Sequence, residues 1–140
     1  MLPEDHEVKL SRNFSASPEQ VFENIAGFAN HPKWRSGVTS VSYDPAAKSV
    51  VEKNSMGTLP YKILKMDAPR ILVTEIDGGK ELGFGGTWVF TLAPFKGGTA
   101  LSITERGQVY GPFFRVMSKL FFPYDRTVKT YLDDLAKALG

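Results

Sequence analysis

The 140-residue chain contains no cysteine. That single absence excludes disulfides, thiolate zinc sites, iron–sulfur ligation and a cysteine nucleophile. Histidine is nearly as scarce: His6 and His31 are the only two, with no His-x-x-x-His spacing, so no metal site is expected. An excess of one charge is missing too. Seventeen Lys plus Arg against fifteen Asp plus Glu leave +2, and the basic residues are spread from Lys9 to Lys137 without a run. A nucleic-acid surface concentrates them on one face or segment, so no nucleic-acid partner is expected. No segment reaches the roughly 18 apolar residues of a membrane span, and the acidic start Met1-Leu2-Pro3-Glu4-Asp5-His6-Glu7 has no signal-peptide core. A cytoplasmic protein without stable membrane insertion is the expectation.

Motifs for common chemistries are also lacking. There is no Gly-x-Ser-x-Gly elbow for a serine nucleophile. Gly83-Phe84-Gly85-Gly86 has the wrong spacing for a dinucleotide fingerprint and opens a strand pattern, while Gly79-Lys80 is followed by Glu81 and is no phosphate loop. No cofactor is implied.

What is present is 42% apolar and 23% charged residues, a balance that fits one globular domain over residues 1–140 with a core of its own. Val8, Leu10 and Phe14 alternate with Lys9, Ser11 and Asn13, which predicts a half-buried strand. Ser17-Pro18-Glu19-Gln20 then offers a cap, a proline for the first helical position and a capping-box partner. Val21, Phe22, Ile25 and Phe28 follow at helical spacing, and a short second helical turn carries Trp34. From Val38 onward the period is two. Strands are predicted over 38–44, 49–54, 58–66, 71–76, 87–93 and 99–108, separated by Asp44-Pro45, Met56-Gly57, Ala68-Pro69, a glycine cluster and Lys96-Gly97-Gly98. Beyond Pro112 the apolar residues Phe113, Met117, Leu120, Tyr124, Val128, Tyr131, Leu135 and Leu139 fall three or four apart, the pattern of a long amphipathic helix that Pro123 should kink or split. This order is α+β and not the alternation of a parallel sheet.

Three segments carry a resemblance: Ser15-Ala16-Ser17-Pro18-Glu19-Gln20-Val21-Phe22 followed by Trp34, Gly98-Thr99-Ala100-Leu101-Ser102-Ile103-Thr104-Glu105, and Tyr131-Leu132-Asp133-Asp134-Leu135. In this order the chain resembles the START-like, helix-grip superfamily of polyketide cyclases and aromatases, lipid-transfer domains and pollen allergens, over residues 6–139. Phe22 stands where many members have tryptophan. The resemblance implies a curved antiparallel sheet of about six or seven strands wrapped around the C-terminal helix, with two short helices after the first strand and an apolar cavity between sheet and helix. It carries no catalytic motif, because carriers, receptors and enzymes share the fold.

Candidate site residues are weighed against ordinary packing. Residues 110–131 hold seven aromatics, and Phe113, Met117, Leu120 and Tyr124 are candidates to line a cavity, although the same residues also suit plain packing on the sheet. Trp34, Trp88 and Phe90 are candidate walls. Tyr61 offers an apolar body with a polar tip. Glu105 shares a strand face with Leu101 and Ile103, and Glu75 shares one with Ile71 and Val73. An inward carboxylate in apolar surroundings can serve as acid, base or hydrogen-bond partner, so Glu105, Glu75 and Tyr61 are the catalytic candidates. The alternative is a strand-end Glu paired with Arg106 or Arg70. Arg12, beside Val8, Leu10 and Phe14, is a candidate for an anionic head group or for an ion pair. The leading expectation is a carrier or sensor that takes a small hydrophobic ligand, such as a lipid, sterol-like or polyketide molecule. A cyclase- or dehydratase-type enzyme is the first alternative, and a membrane- or protein-contact module built on the aromatic helix the second.

Overall fold

In the computed structural model, residues 4–77, 84–109 and 124–140 are described. Strand β1 (Glu4–Phe14) leads into helix α1 (Pro18–Ala26), whose start is locked by the capping box that the sequence spells. The Ser17 hydroxyl accepts from the Gln20 amide at 3.2 Å, and the Gln20 side chain accepts from the Ser17 amide at 3.1 Å, so two otherwise unmet amides are satisfied. Val21, Phe22 and Ile25 form the buried stripe of α1. A 3₁₀ turn at Phe28–Asn30 and the one-turn helix α2 (His31–Trp34) follow.

Six strands then run as a meander: β2 (Val38–Asp44), β3 (Ser49–Asn54), β4 (Gly57–Asp67), β5 (Ile71–Ile76), β6 (Phe84–Phe95) and β7 (Gly98–Val109). All pairings are antiparallel, and β1 returns to pair with β7, giving the order β1-β7-β6-β5-β4-β3-β2 in a seven-stranded sheet with β1 and β2 at its edges. Helix α3 (Tyr124–Leu139) closes the described chain. The fold is therefore α+β, an antiparallel sheet gripping a C-terminal helix, with the short helices after the first strand as anticipated.

Directly opposed residues of an antiparallel pair share a face, so the register identifies the inner surface strand by strand. Val8, Leu10 and Phe14 oppose Glu105, Ile103 and Thr99; Trp88, Phe90 and Leu92 oppose Glu105, Ile103 and Leu101; Leu72 and Thr74 oppose Phe90 and Trp88. Farther along, Ile63 opposes Thr74, and Val50 opposes both Tyr61 and Tyr43. This face carries the core: Val50, Leu72, Leu101 and Ile103 are buried there with Val128, Tyr131, Leu132 and Leu135 of α3. Burying these side chains is worth about 1.5–3 kcal/mol each and holds the helix against the inner face of the sheet.

Two polar ties fix where α3 lies. Asp134 accepts from the Ser36 amide at 2.7 Å and from its hydroxyl at 2.8 Å, joining the helix to the loop after α2. Asp133 accepts from Arg12 Nη2 at 2.7 Å, joining it to β1. The described helix starts one residue after Pro123, and the expected helical run from Phe113 to Pro123 lies outside the described residues.

Candidate functional site

Tyr131 is the centre of the inner face. α3 points it at the sheet, where its ring meets Trp88 and Phe90 at 5.5 Å each, Trp34 at 5.3 Å and His31 at 6.3 Å between centroids. The Arg35 guanidinium lies over the ring, 5.0 Å from its centroid, a cation–π placement. Tyr131 is only 4% exposed, and its hydroxyl is buried with no hydrogen-bond partner among the described residues. Burial holds its pKa far above that of an ordinary phenol, against the pull of Arg35, so the group stays protonated and able to donate.

Around it stands a buried polar cluster contributed by separate elements. Arg35, at the C-terminal end of α2, donates through Nη1 to Glu52 of β3 at 2.5 Å and to His31 Nδ1 at 3.3 Å. The other Glu52 oxygen accepts from Asn54 Nδ2 at 2.8 Å. Glu52 reaches the inner face because it falls in step with Val50, and it is 3% exposed. Burial works against the Arg35 charge, but the adjacent Glu52 carboxylate outweighs it and raises the guanidinium pKa. His31 Nε2 donates to the Ile25 carbonyl at 3.0 Å, leaving Nδ1 as acceptor for Arg35. Burial, reinforced by the Arg35 charge, lowers the His31 pKa to about 4, so the ring is neutral near pH 7. Tyr61 of β4 shares this neighbourhood. Burial first, then the Glu52 charge, raises its pKa well above the usual phenol value, against the opposing effect of Arg35.

A second polar group sits on the same face toward the β1 edge. Glu105 Oε1 accepts from His6 Nε2 at 3.1 Å, and Oε2 accepts from Trp88 Nε1 at 2.6 Å. His6 lies directly across from Gly107, and its ring occupies the space a Cβ there would fill, so the glycine makes the approach possible. Trp88 links the two groups, touching Glu105 with its N–H and Tyr131 with its ring.

The residues singled out in the sequence are distributed unevenly over this arrangement. Trp34, Tyr61, Trp88, Phe90 and Glu105 all stand around the inner face. Glu75 does not: it opposes Thr87 and Lys62, shares the outer face with Val73, and is exposed. β5 is apolar on both faces, so its alternation does not say which one is inside. Arg12 is on the inner face by register but reaches the rim, where it pairs with the exposed Asp133. The arginines anticipated as partners for Glu105 and Glu75 are used elsewhere, Arg106 facing Glu7 at 3.8 Å and Arg70 facing Asp67 at 2.6 Å. Phe113, Met117 and Leu120 lie outside the described residues, as does the side chain of Tyr124.

Sequence reasoning missed Arg35, Glu52 and the role of His31, which it weighed as a metal ligand. The available signal was the step Val50, Glu52, Asn54, which places two polar side chains on the face of a core valine. Among the described residues no cluster of three or more His, Asp or Glu is arranged to hold a metal ion, and no helix is long and apolar enough to cross a membrane.

Comparison with known proteins agrees with this architecture. Solved structures superpose over nearly the whole chain: protein Mll3558 of Rhizobium loti at 19% identity, covering 96% of this chain and 97% of that one with a TM-score of 0.75. A START superfamily protein of Mycobacterium smegmatis matches at 14% identity, 96% and 97% coverage and a TM-score of 0.75. Norcoclaurine synthase of Thalictrum flavum matches at 12% identity, 99% and 96% coverage and a TM-score of 0.77. At these identities the likeness concerns the fold. No curated protein matches the sequence significantly. The model of the family described as polyketide cyclase / dehydrase and lipid transport matches residues 5–140, and the chain is a member of that family.

Proposed function

We propose that the protein is a cytoplasmic carrier or sensor that binds a small hydrophobic ligand between the inner face of its sheet and helix α3. The observation that carries this reading is the state of the inner-face aromatics. Trp34, Tyr43, Tyr61 and Trp88 each pack on a buried ring of the core, Phe28 or Tyr131, yet stay partly exposed. That residual apolar surface on the inner face is the form of a wall that an apolar guest completes. Affinity then comes from burial, at about 0.8 kcal/mol per methylene withdrawn from water.

Titration with diphenylhexatriene, a hydrocarbon dye that fluoresces on leaving water, tests the reading. Saturable binding near one dye per chain, quenched Trp emission and weaker binding by Trp88→Ala are expected. Partition without saturation, or affinity indifferent to Trp88, would overturn it.

A cyclase- or dehydratase-type enzyme is the second reading, favoured by one feature: Glu105 and Glu52 both bring carboxylates to the inner face, next to His6 and Tyr61 respectively. Incubation of a bound poly-ketone separates the two, since a carrier returns it with unchanged mass and a cyclase-dehydratase returns it lighter by water.

A further inference from the structure

Resting on the binding reading above, the geometry points to a definite class of ligand: we infer that the Tyr131 hydroxyl, flanked by the Arg35–Glu52 pair, receives an uncharged oxygen acceptor, a ketone or alcohol on an apolar body, and discriminates against carboxylates and amines.

Arg35 and Glu52 cancel, with Glu52 Oε1 bound to Arg35 and Oε2 to Asn54. His31 contributes none, because its lowered pKa keeps it neutral and its Nδ1 already accepts from Arg35. The cluster is thus electrically balanced before any ligand arrives. A carboxylate brought beside Tyr131 would lose its water in a place where the nearest cation is already paired, and where Glu52 repels it. An ammonium would meet Arg35 under the same conditions. Neither ion has a free counter-charge to replace its hydration.

Within this cluster the Tyr131 hydroxyl is a buried polar atom left without a hydrogen-bond partner among the described residues, on a side chain 4% exposed. A buried hydroxyl in that condition is destabilising, and natural cores keep few of them. Held protonated, it is a donor, and the partner that fits is an acceptor oxygen. The surroundings then define the rest of the guest. Trp34, Trp88 and Phe90 ring the phenol at 5.3–5.5 Å, so whatever carries that oxygen is apolar immediately behind it.

The test is competition against bound diphenylhexatriene at pH 7.5 by four eleven-carbon probes: 2-undecanone, 1-undecanol, undecanoate and undecylamine. The ketone and the alcohol are expected to displace the dye at concentrations about tenfold or more below those of the two ions. In Tyr131→Phe, which keeps the ring and its contacts, the ketone should weaken about five- to tenfold relative to the dye affinity measured in the same variant. Undecanoate or undecylamine competing as well as the ketone, or an unchanged ketone affinity in Tyr131→Phe, would overturn this inference while leaving hydrophobic binding intact. Failure of the dye itself to bind would overturn both.

Discussion

Replacing Tyr131 by phenylalanine deletes one oxygen and should make the ligand-free protein more stable. The ring contacts with Trp34, Trp88, Phe90 and His31 and the Arg35 stacking require only the ring, which the variant retains. What disappears is a buried hydroxyl without a partner among the described residues. Leaving such a group unmet costs about 1–3 kcal/mol, and taking the lower end allows for the small void left behind. For a chain of 140 residues the entropy of unfolding is about 0.3 kcal/mol per kelvin, so a gain near 1 kcal/mol raises Tm by about 3 °C. Urea unfolding of ligand-stripped protein, followed by far-UV circular dichroism, measures the change directly. The midpoint should rise with an unaltered slope, since the surface exposed on unfolding is the same. A loss of 1 kcal/mol or more would show that the hydroxyl has a partner in the folded protein and would remove the ground for assigning it to a ligand. A gain in stability joined to a loss of ketone affinity is the pattern of a group kept for binding at the expense of the fold.

The remaining perturbations follow from the same geometry. Glu52→Ala strands the Arg35 charge in a largely buried position and should cost about 3–5 kcal/mol, while the double variant Arg35→Met/Glu52→Leu recovers most of it; a double-mutant cycle by urea unfolding checks both. Because burial lowers the His31 pKa to about 4, the unfolded chain binds a proton between roughly pH 6.5 and 4 that the folded chain does not. That contribution to stability is complete above pH 6.5 and is lost as the pH falls toward 4, on the order of 3 kcal/mol in total; His31→Gln should flatten unfolding free energy against pH in that window, and an unchanged slope would contradict it. Arg12→Ala breaks a pair whose side chains are 38% and 58% exposed and should cost under about 1 kcal/mol, an effect that shrinks in high salt. Glu75→Gln, on the outer face, should leave dye and ketone binding unchanged in the same titrations.

The elements were legible in the sequence because their local signals were strong. The capping box at Ser17 and the strands at Val38–Asp44, Ser49–Asn54 and Ile71–Ile76 fall where alternation and turn residues place them. Faces were legible only where one side of a strand is polar. In β7, Leu101 and Ile103 alternate with Ser102 and Thr104, so Glu105 follows the buried set. In β5 the inner residues are Leu72 and Thr74 and the outer ones Ile71 and Val73, and nothing local separates the two faces. β3 presents the same ambiguity, since Val50 is fully buried and Val51 is 38% exposed, which hid Glu52. The polar cluster was beyond reach for another reason. His31, Arg35, Glu52, Tyr61 and Tyr131 come from four elements, and only the register and the docking of α3 bring them together.

Binding between the sheet and α3 is tested most directly by an amide and indole NMR titration of the protein with 2-undecanone. The chain has two tryptophans, so Trp34 and Trp88 give two indole N–H signals, and Trp88 is held by Glu105 beside Tyr131. Saturable shifts at both indoles and along Glu52, Tyr61 and Tyr131, with the outer residues Val51 and Glu75 unmoved, are the predicted result. Shifts confined to the outer face, or none at saturating ketone, would contradict it.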